Sequence, residues 1–227
     1  MQYIPKKEIQ PLDWDTWFTK GTGTRSYDYK SDFSALRSIV NAKKYLLDEQ
    51  YGLCAYCQNT LILEKASIEH VIPKEHNVPY STNYHNLVAV CKNTNSDENG
   101  KKFCEPIRGS EILPTIIFYS DAQVTKDKNH AYIKSNRDGT ITPKPNCLDC
   151  KKNQVGAFIE ILNLNHSSLV KNRKNALDGI LEYWNMLSDN RQKQNYLQIQ
   201  FDRVLSTLNT PYRQFLLIYL GQKLGKN

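Results

Sequence analysis

Six cysteines hold most of the chemistry available to this 227-residue chain: Cys54, Cys57, Cys91, Cys104, Cys147 and Cys150. Two of the pairs have the spacing C-x2-C. That spacing puts two thiolates on one tight turn, within reach of a single metal ion, and zinc is the first candidate. Cys54 and Cys57 form one half of a tetrahedral site, and Cys91 and Cys104 are placed to form the other. Between the halves lie Glu69–His70 and Asn86. A carboxylate beside an imidazole at a strand end would be a second centre. Glu69 can hold a hard divalent cation through oxygen. His70, with an ordinary pKa of about 6.5, can take a proton from water at neutral pH. Phosphodiester hydrolysis needs both an activated nucleophile and a cation that offsets charge on the phosphate. Adjacent side chains on a regular strand diverge, so this reading requires a bend or bulge beside the pair.

The segments CAYCQ (54–58), IEHVIPK (68–74), YHNLVAVC (84–91) and CEPIRG (104–109) together resemble the ββα-metal fold of HNH endonucleases, in the branch embedded between two zinc half-sites. In that pattern the first His is His70 and the Asn is Asn86. The third position, a metal ligand at the start of the α element, is best matched by Glu105 in CEPIRG. Twelve residues separate Cys91 from Cys104, where the compact pattern has two. A competing alignment keeps the compact spacing and puts Asn95 in the third position, with Thr94 replacing a cysteine. Glu105 is preferred because it keeps a fourth thiolate and the following Arg-Gly.

The lead-in LLDEQYGLCAYC and the later LNLNHSSLVKNR (162–173) resemble PtuB, the HNH subunit of Septu-type and retron-associated anti-phage defence systems. The resemblance implies a structural zinc, a catalytic Mg²⁺ or Mn²⁺ on Glu69 and Glu105, and His70 as the general base. It implies Asn86 as the residue that fixes the His70 ring, and 5′-phosphate products. It further implies a PtuA-like partner ATPase of the SMC/ABC class and cleavage of nucleic acid; DNA is favoured over RNA as the partner, with the choice of substrate between them open.

The elements that must position these groups give an α+β expectation, with a zinc-stapled HNH core flanked by an N-terminal helix and a mostly helical C-terminal region. Residues 1–50 are an extension and a helix capped by Ser34, with apolar positions Leu36, Ile39, Val40, Leu46 and Leu47. Residues 51–109 are the core, with short strands at Leu61–Leu63, Ile68–Ile72 and Leu87–Val90. They are too poor in apolar residues to stand without a metal staple. Residues 110–153 connect, with strands at Ile116–Tyr119, Ala131–Lys134 and Thr140–Thr142. Residues 154–227 are helical. One helix starts at Ser167 or Ser168 with a stripe of Leu169, Val170, Leu177, Ile180, Leu181, Trp184 and Leu187. A last helix from Pro211 to Leu220 is apolar nearly all round, which implies burial.

Composition bounds the rest. The chain is 40% apolar with a net charge of +7, which argues against disorder and suits a polyanionic partner. Residues 151–227 carry eleven Lys/Arg against five Asp/Glu. Lys171, Arg173 and Lys174 are therefore the candidate phosphate contacts. No run of eighteen apolar residues and no apolar leader is present, so a cytoplasmic protein without a membrane span is expected. Three disulfides are not expected in that compartment. His85 is expected on the face opposite Asn86, His76 lies in the loop after the catalytic strand, where it could touch substrate, and His130 and His166 have no partner pattern. Cys147 and Cys150 read as a reduced dithiol, as replacements for Cys91 and Cys104 in the zinc site, or as part of a second metal site. Two other functions stay open: a non-catalytic zinc module that binds nucleic acid or a partner, and a thiol redox protein using Cys147 and Cys150.

Overall fold

Helix α1 (Ile39–Glu49) lies across a two-stranded antiparallel ribbon, β1 (Ala66–His70) and β2 (Leu87–Cys91), in the computed structural model. The model describes residues 6, 10–14, 39–73, 82–92, 102–114 and 132–226. After β2 come a four-residue helix α2 (Glu105–Arg108), a hairpin of β3 (Ile133–Ser135) and β4 (Ile141–Pro143), and four helices. These are α3 (Asp149–Ile161), α4 (Ser167–Met186), α5 (Asn190–Ser206) and α6 (Arg213–Lys223). The class is α+β, as expected.

The ribbon forms where the sequence places its apolar run. Leu87, Val88, Ala89 and Val90 are all buried, so β2 is covered on both faces, whereas β1 is half-exposed after Ala66. The register pairs Ala66 with Cys91, Glu69 with Val88 and His70 with Leu87. Helix α1 meets the ribbon through Ala42, Leu46 and Leu47, while Val40 faces solvent. The strand expected at Leu61–Leu63 is not formed. A single bridge joins Leu53 to Thr60, and a 3-10 turn follows at Leu63–Lys65. The Ser34 cap, the strand at Ile116–Tyr119, His76, Asn95 and His130 lie outside the described residues.

Three amide side chains act as substitute strands. Gln50, buried after α1, accepts from Ala89 N (2.7 Å) and donates to Ala89 O (2.7 Å). Asn86 does the same to Ile72 (2.7 and 3.1 Å), and Asn165 to Ile141 (2.9 and 2.8 Å). Each satisfies a backbone donor and acceptor that no sheet neighbour reaches, which is why short strands can end inside the protein.

The C-terminal half packs as the periodicity implies. Leu169, Leu177, Ile180 and Leu181 of α4 are buried, and so is every residue of α6 from Phe215 to Gly221. The turn before β4 needs Gly139, whose φ is +92° and whose missing Cβ would stand 2.2 Å from Val170 O. One apolar core runs from Trp14 to Leu220. Backbone and side-chain bonds cross between the halves: Tyr212 N to Gln58 O (3.0 Å), Cys104 N to Leu162 O (3.0 Å) and Asn163 Nδ2 to Lys102 O (2.8 Å). Among the described residues no helix is long and apolar enough to cross a membrane.

Candidate functional site

The Cys54–Cys57 turn is built by the backbone around it. Tyr51 (φ 57°) and Gly52 (φ 71°) reverse the chain after α1. Cys54 N then bonds Asn59 O, and Gln58 N bonds Cys54 O, both at 3.0 Å, closing a tight knuckle. Ala55 N bonds Ala89 O at 3.0 Å, so the knuckle docks on the free edge of β2. Cys91 ends that strand, and Cys104 arrives from the far side just ahead of α2, with φ 61°. The four sulfurs lie within 4.8 Å of one another.

Zinc binds thiolate at about 2.3 Å, which sets the edge of a sulfur tetrahedron at about 3.8 Å. The Cys54–Cys91 and Cys57–Cys91 sulfurs are 3.7 and 3.8 Å apart. These are metal-site separations, far beyond a disulfide bond. Cys91 N also donates to Cys54 Sγ at 3.4 Å, the kind of bond that orients a metal-bound thiolate. Burial opposes ionisation of Cys54, but hydrogen bonds from Cys104, Cys57 and Cys91 outweigh it and hold its thiol well below the ordinary value. Burial pushes Cys104 well above its ordinary value. For Cys57, the bond with Cys104 lowers the thiol, but those with Cys54 and Cys91, together with burial, raise it further. Four clustered thiols are a donor set that a divalent cation completes by displacing protons. Among the described residues this is the group of metal-capable side chains the fold assembles. Cys147, which donates to Lys144 O at 3.0 Å, and the exposed Cys150 are not part of it.

Beside this clamp lies the end of β1. Its register is unbroken through His70, and the chain bends immediately afterwards, at Val71–Ile72. Asn86, 2% exposed, holds the bend: its side chain clamps Ile72 at both backbone groups, and its carbonyl accepts from Val71 N at 2.8 Å. Asn86 thus bonds the loop that directly follows His70. The distortion sought beside Glu69–His70 falls one residue later.

Arg108 joins these parts. Its side chain is fully buried. Nη1 donates to Glu69 Oε1 (2.5 Å), His70 O (2.5 Å) and the Tyr56 hydroxyl (2.8 Å), Nη2 to Val71 O (2.6 Å) and Nε to Glu111 O (3.1 Å). Tyr56 sits between the two cysteines of the knuckle, and burial first, then the Glu69 charge, pushes its phenol well above the usual range. The guanidinium thus ties the knuckle, the end of β1 and α2 together. Sequence reasoning used Arg108 only as an alignment marker. A lone Arg four residues past a cysteine gives no periodic signal that it is buried, and Tyr56 carries no signal of its own within CAYCQ. Glu105 is the first residue of α2, directly after Cys104.

The remaining candidates separate. His85 is exposed, with Asn83 Oδ1 accepting from its backbone N–H at 2.9 Å. His166 is buried, caps α4 by accepting from Ser168 N at 3.2 Å, and lies 4.9 Å from the Phe103 ring. Lys171 and Lys174 are exposed on α4, and Lys174 pairs with Asp178 at 2.5 Å. Arg173 is turned inward by the helical period, at 4% exposure, and is not on that basic face.

No family model matches the chain. Among characterised proteins it is similar to a candidate HNH endonuclease of retron Vc95 from Vibrio cholerae serotype O1 biovar El Tor, with 24% identity over 181 residues. The alignment takes in 77% of this chain and 81% of that protein. It supports an HNH endonuclease relationship for this α+β fold.

Proposed function

We propose that the chain is a metal-dependent HNH endonuclease that hydrolyses nucleic-acid phosphodiesters, acting as the PtuB-like nuclease subunit of an anti-phage complex with a PtuA-like ATPase. The observation that carries this reading is the tetrathiolate cluster at zinc-like separations beside the Glu69–His70 strand end. The named relative, itself assigned to a retron and to the HNH endonucleases, supports it.

In this mechanism Cys54, Cys57, Cys91 and Cys104 hold a structural zinc, which takes no part in the reaction. Glu69 and Glu105 are the residues to hold Mg²⁺ or Mn²⁺, with Asn95 as the alternative to Glu105. Glu69 suits a single-oxygen ligand, because Arg108 already orients it through Oε1. A divalent cation bound there supplies charge to offset that on the scissile phosphate. His70 takes the proton from the attacking water. Asn86 and Arg108 hold the backbone from the His70 carbonyl to Ile72, so that the ring needs little reorganisation. Lys171 and Lys174 contact the phosphate backbone, sequence-independently.

The test is cleavage of DNA and RNA substrates by the full chain, alone and with the partner ATPase, in the presence of Mg²⁺ or Mn²⁺ and after chelation. Metal-dependent cleavage is expected, with 5′-phosphate ends. Tight binding without cleavage under every metal condition would instead make the chain a zinc-stabilised binding module.

A further inference from the structure

Arg173 is a buried charge that this mechanism does not use. Its Nη2 donates to Leu164 O (2.6 Å) and Asn165 Oδ1 (3.2 Å), and its Cζ lies 5.6 Å from the Phe215 ring centroid. Among the described residues no carboxylate forms an ion pair with it, and Asp138, the one carboxylate whose charge acts on it, is exposed on the hairpin turn. A buried cation without an opposite charge is expensive.

The neighbourhood shows what balances it. Arg173 lines a cavity of about 20 Å³ shared with Tyr56, Cys57, Gln58, Ser135 and Tyr212. Among these lining residues, Arg173 Nε, Gln58 Nε2, Ser135 Oγ and the Tyr212 hydroxyl are buried without a hydrogen-bond partner. Room of that size holds one water, which these groups would ligate. One wall of the cavity is Cys57. Four thiolates on a divalent zinc carry a net charge of −2, so the electronegative group facing the cavity is the metal centre itself. A bound anion would have to sit beside that negative charge, which argues against an anion site.

We propose that Arg173, delivered by α4 of the C-terminal helical region, is the counter-charge of the tetrathiolate centre, with Gln58 and Ser135 as neutral donors around the same hydrated cavity. The assignment rests on the reading of the four cysteines as a zinc site. The C-terminal helices are thereby part of the metal site rather than an appendage to it.

The experiment compares zinc content and the rate of zinc release to a chelator, under reducing conditions, for the full wild-type chain, Arg173→Lys, Arg173→Gln and Gln58→Leu. Wild type is expected to carry one zinc. Arg173→Lys keeps the charge and is expected to release zinc at close to the wild-type rate. Arg173→Gln is expected to hold zinc about 10–100-fold more weakly, the usual cost of losing a partner beyond the ligands, and to release it correspondingly faster. If Arg173→Gln does not fold, the comparison moves to the other variants, with Gln58→Leu releasing faster than Arg173→Lys. Equal release from all the folded variants, with zinc present in wild type, would overturn the role of Arg173 alone. A metal-free wild type from metal-replete preparation would overturn the zinc reading and this inference with it.

Discussion

At the scale of single residues, the site depends on polar side chains that bond backbone. Arg108 serves a carboxylate, a phenol and three carbonyls from a fully buried position. Arg108→Met leaves all of them without that donor, and breaking a buried pair of this kind costs about 3–5 kcal/mol. A lower urea midpoint at an unchanged m value is the expected result. Asn86→Ala removes both bonds to Ile72, and a buried hydrogen-bonding group left unpaired costs about 1–3 kcal/mol. Its cleavage rate should fall further than its stability explains, because the lost clamp directly follows His70. The four-cysteine cluster was legible because metal chemistry demands fixed residue types at fixed spacings. Arg108, Gln50 and Tyr56 were not, because their partners are mostly backbone groups and buried neighbours distant in sequence, which no local pattern encodes.

At the scale of elements, helices were read more truly than the irregular chain between them. The stripe on α4 and the apolar length of α6 both became core, since a 3.6-residue period survives any tertiary arrangement. Leu61–Leu63 looked like a strand, but the sharp turn that the Cys54–Cys57 knuckle imposes leaves only the Leu53–Thr60 bridge. Arg173 was grouped with Lys171 and Lys174 by charge, yet the helical period turns it a different way from both. The hairpin gives an element-scale prediction. Gly139→Ala places a methyl group 2.2 Å from Val170 O at a φ of +92°, so the β3–β4 hairpin must lift from α4. A loss of about 1–3 kcal/mol is expected from the backbone strain alone, measured as a lower denaturation midpoint. If the variant matched wild type, that close approach would not exist in solution.

At the scale of the whole molecule, one core and one four-cysteine cluster draw on segments that the sequence read as separate regions. Tyr212 and Leu162 bond the chain beside Cys57 and Cys104 respectively, so zinc loss should be felt in the C-terminal helices as well as in the knuckle. Chelation under reducing conditions is expected to lower Tm, and added zinc to restore it in a concentration-dependent way. The charge of +7 predicts nucleic-acid binding that weakens with salt. Exchanging Lys171 and Lys174 for Gln should flatten that salt dependence by about one to two phosphate contacts.

The central claim is that this scaffold presents His70 as a general base. It is tested most directly by the cleavage rate of wild type against His70→Ala, both loaded with zinc and assayed with the same Mn²⁺ and partner ATPase. A fall of about 10²-fold or more at unchanged zinc content and substrate affinity is predicted. Cleavage by His70→Ala at the wild-type rate would contradict it.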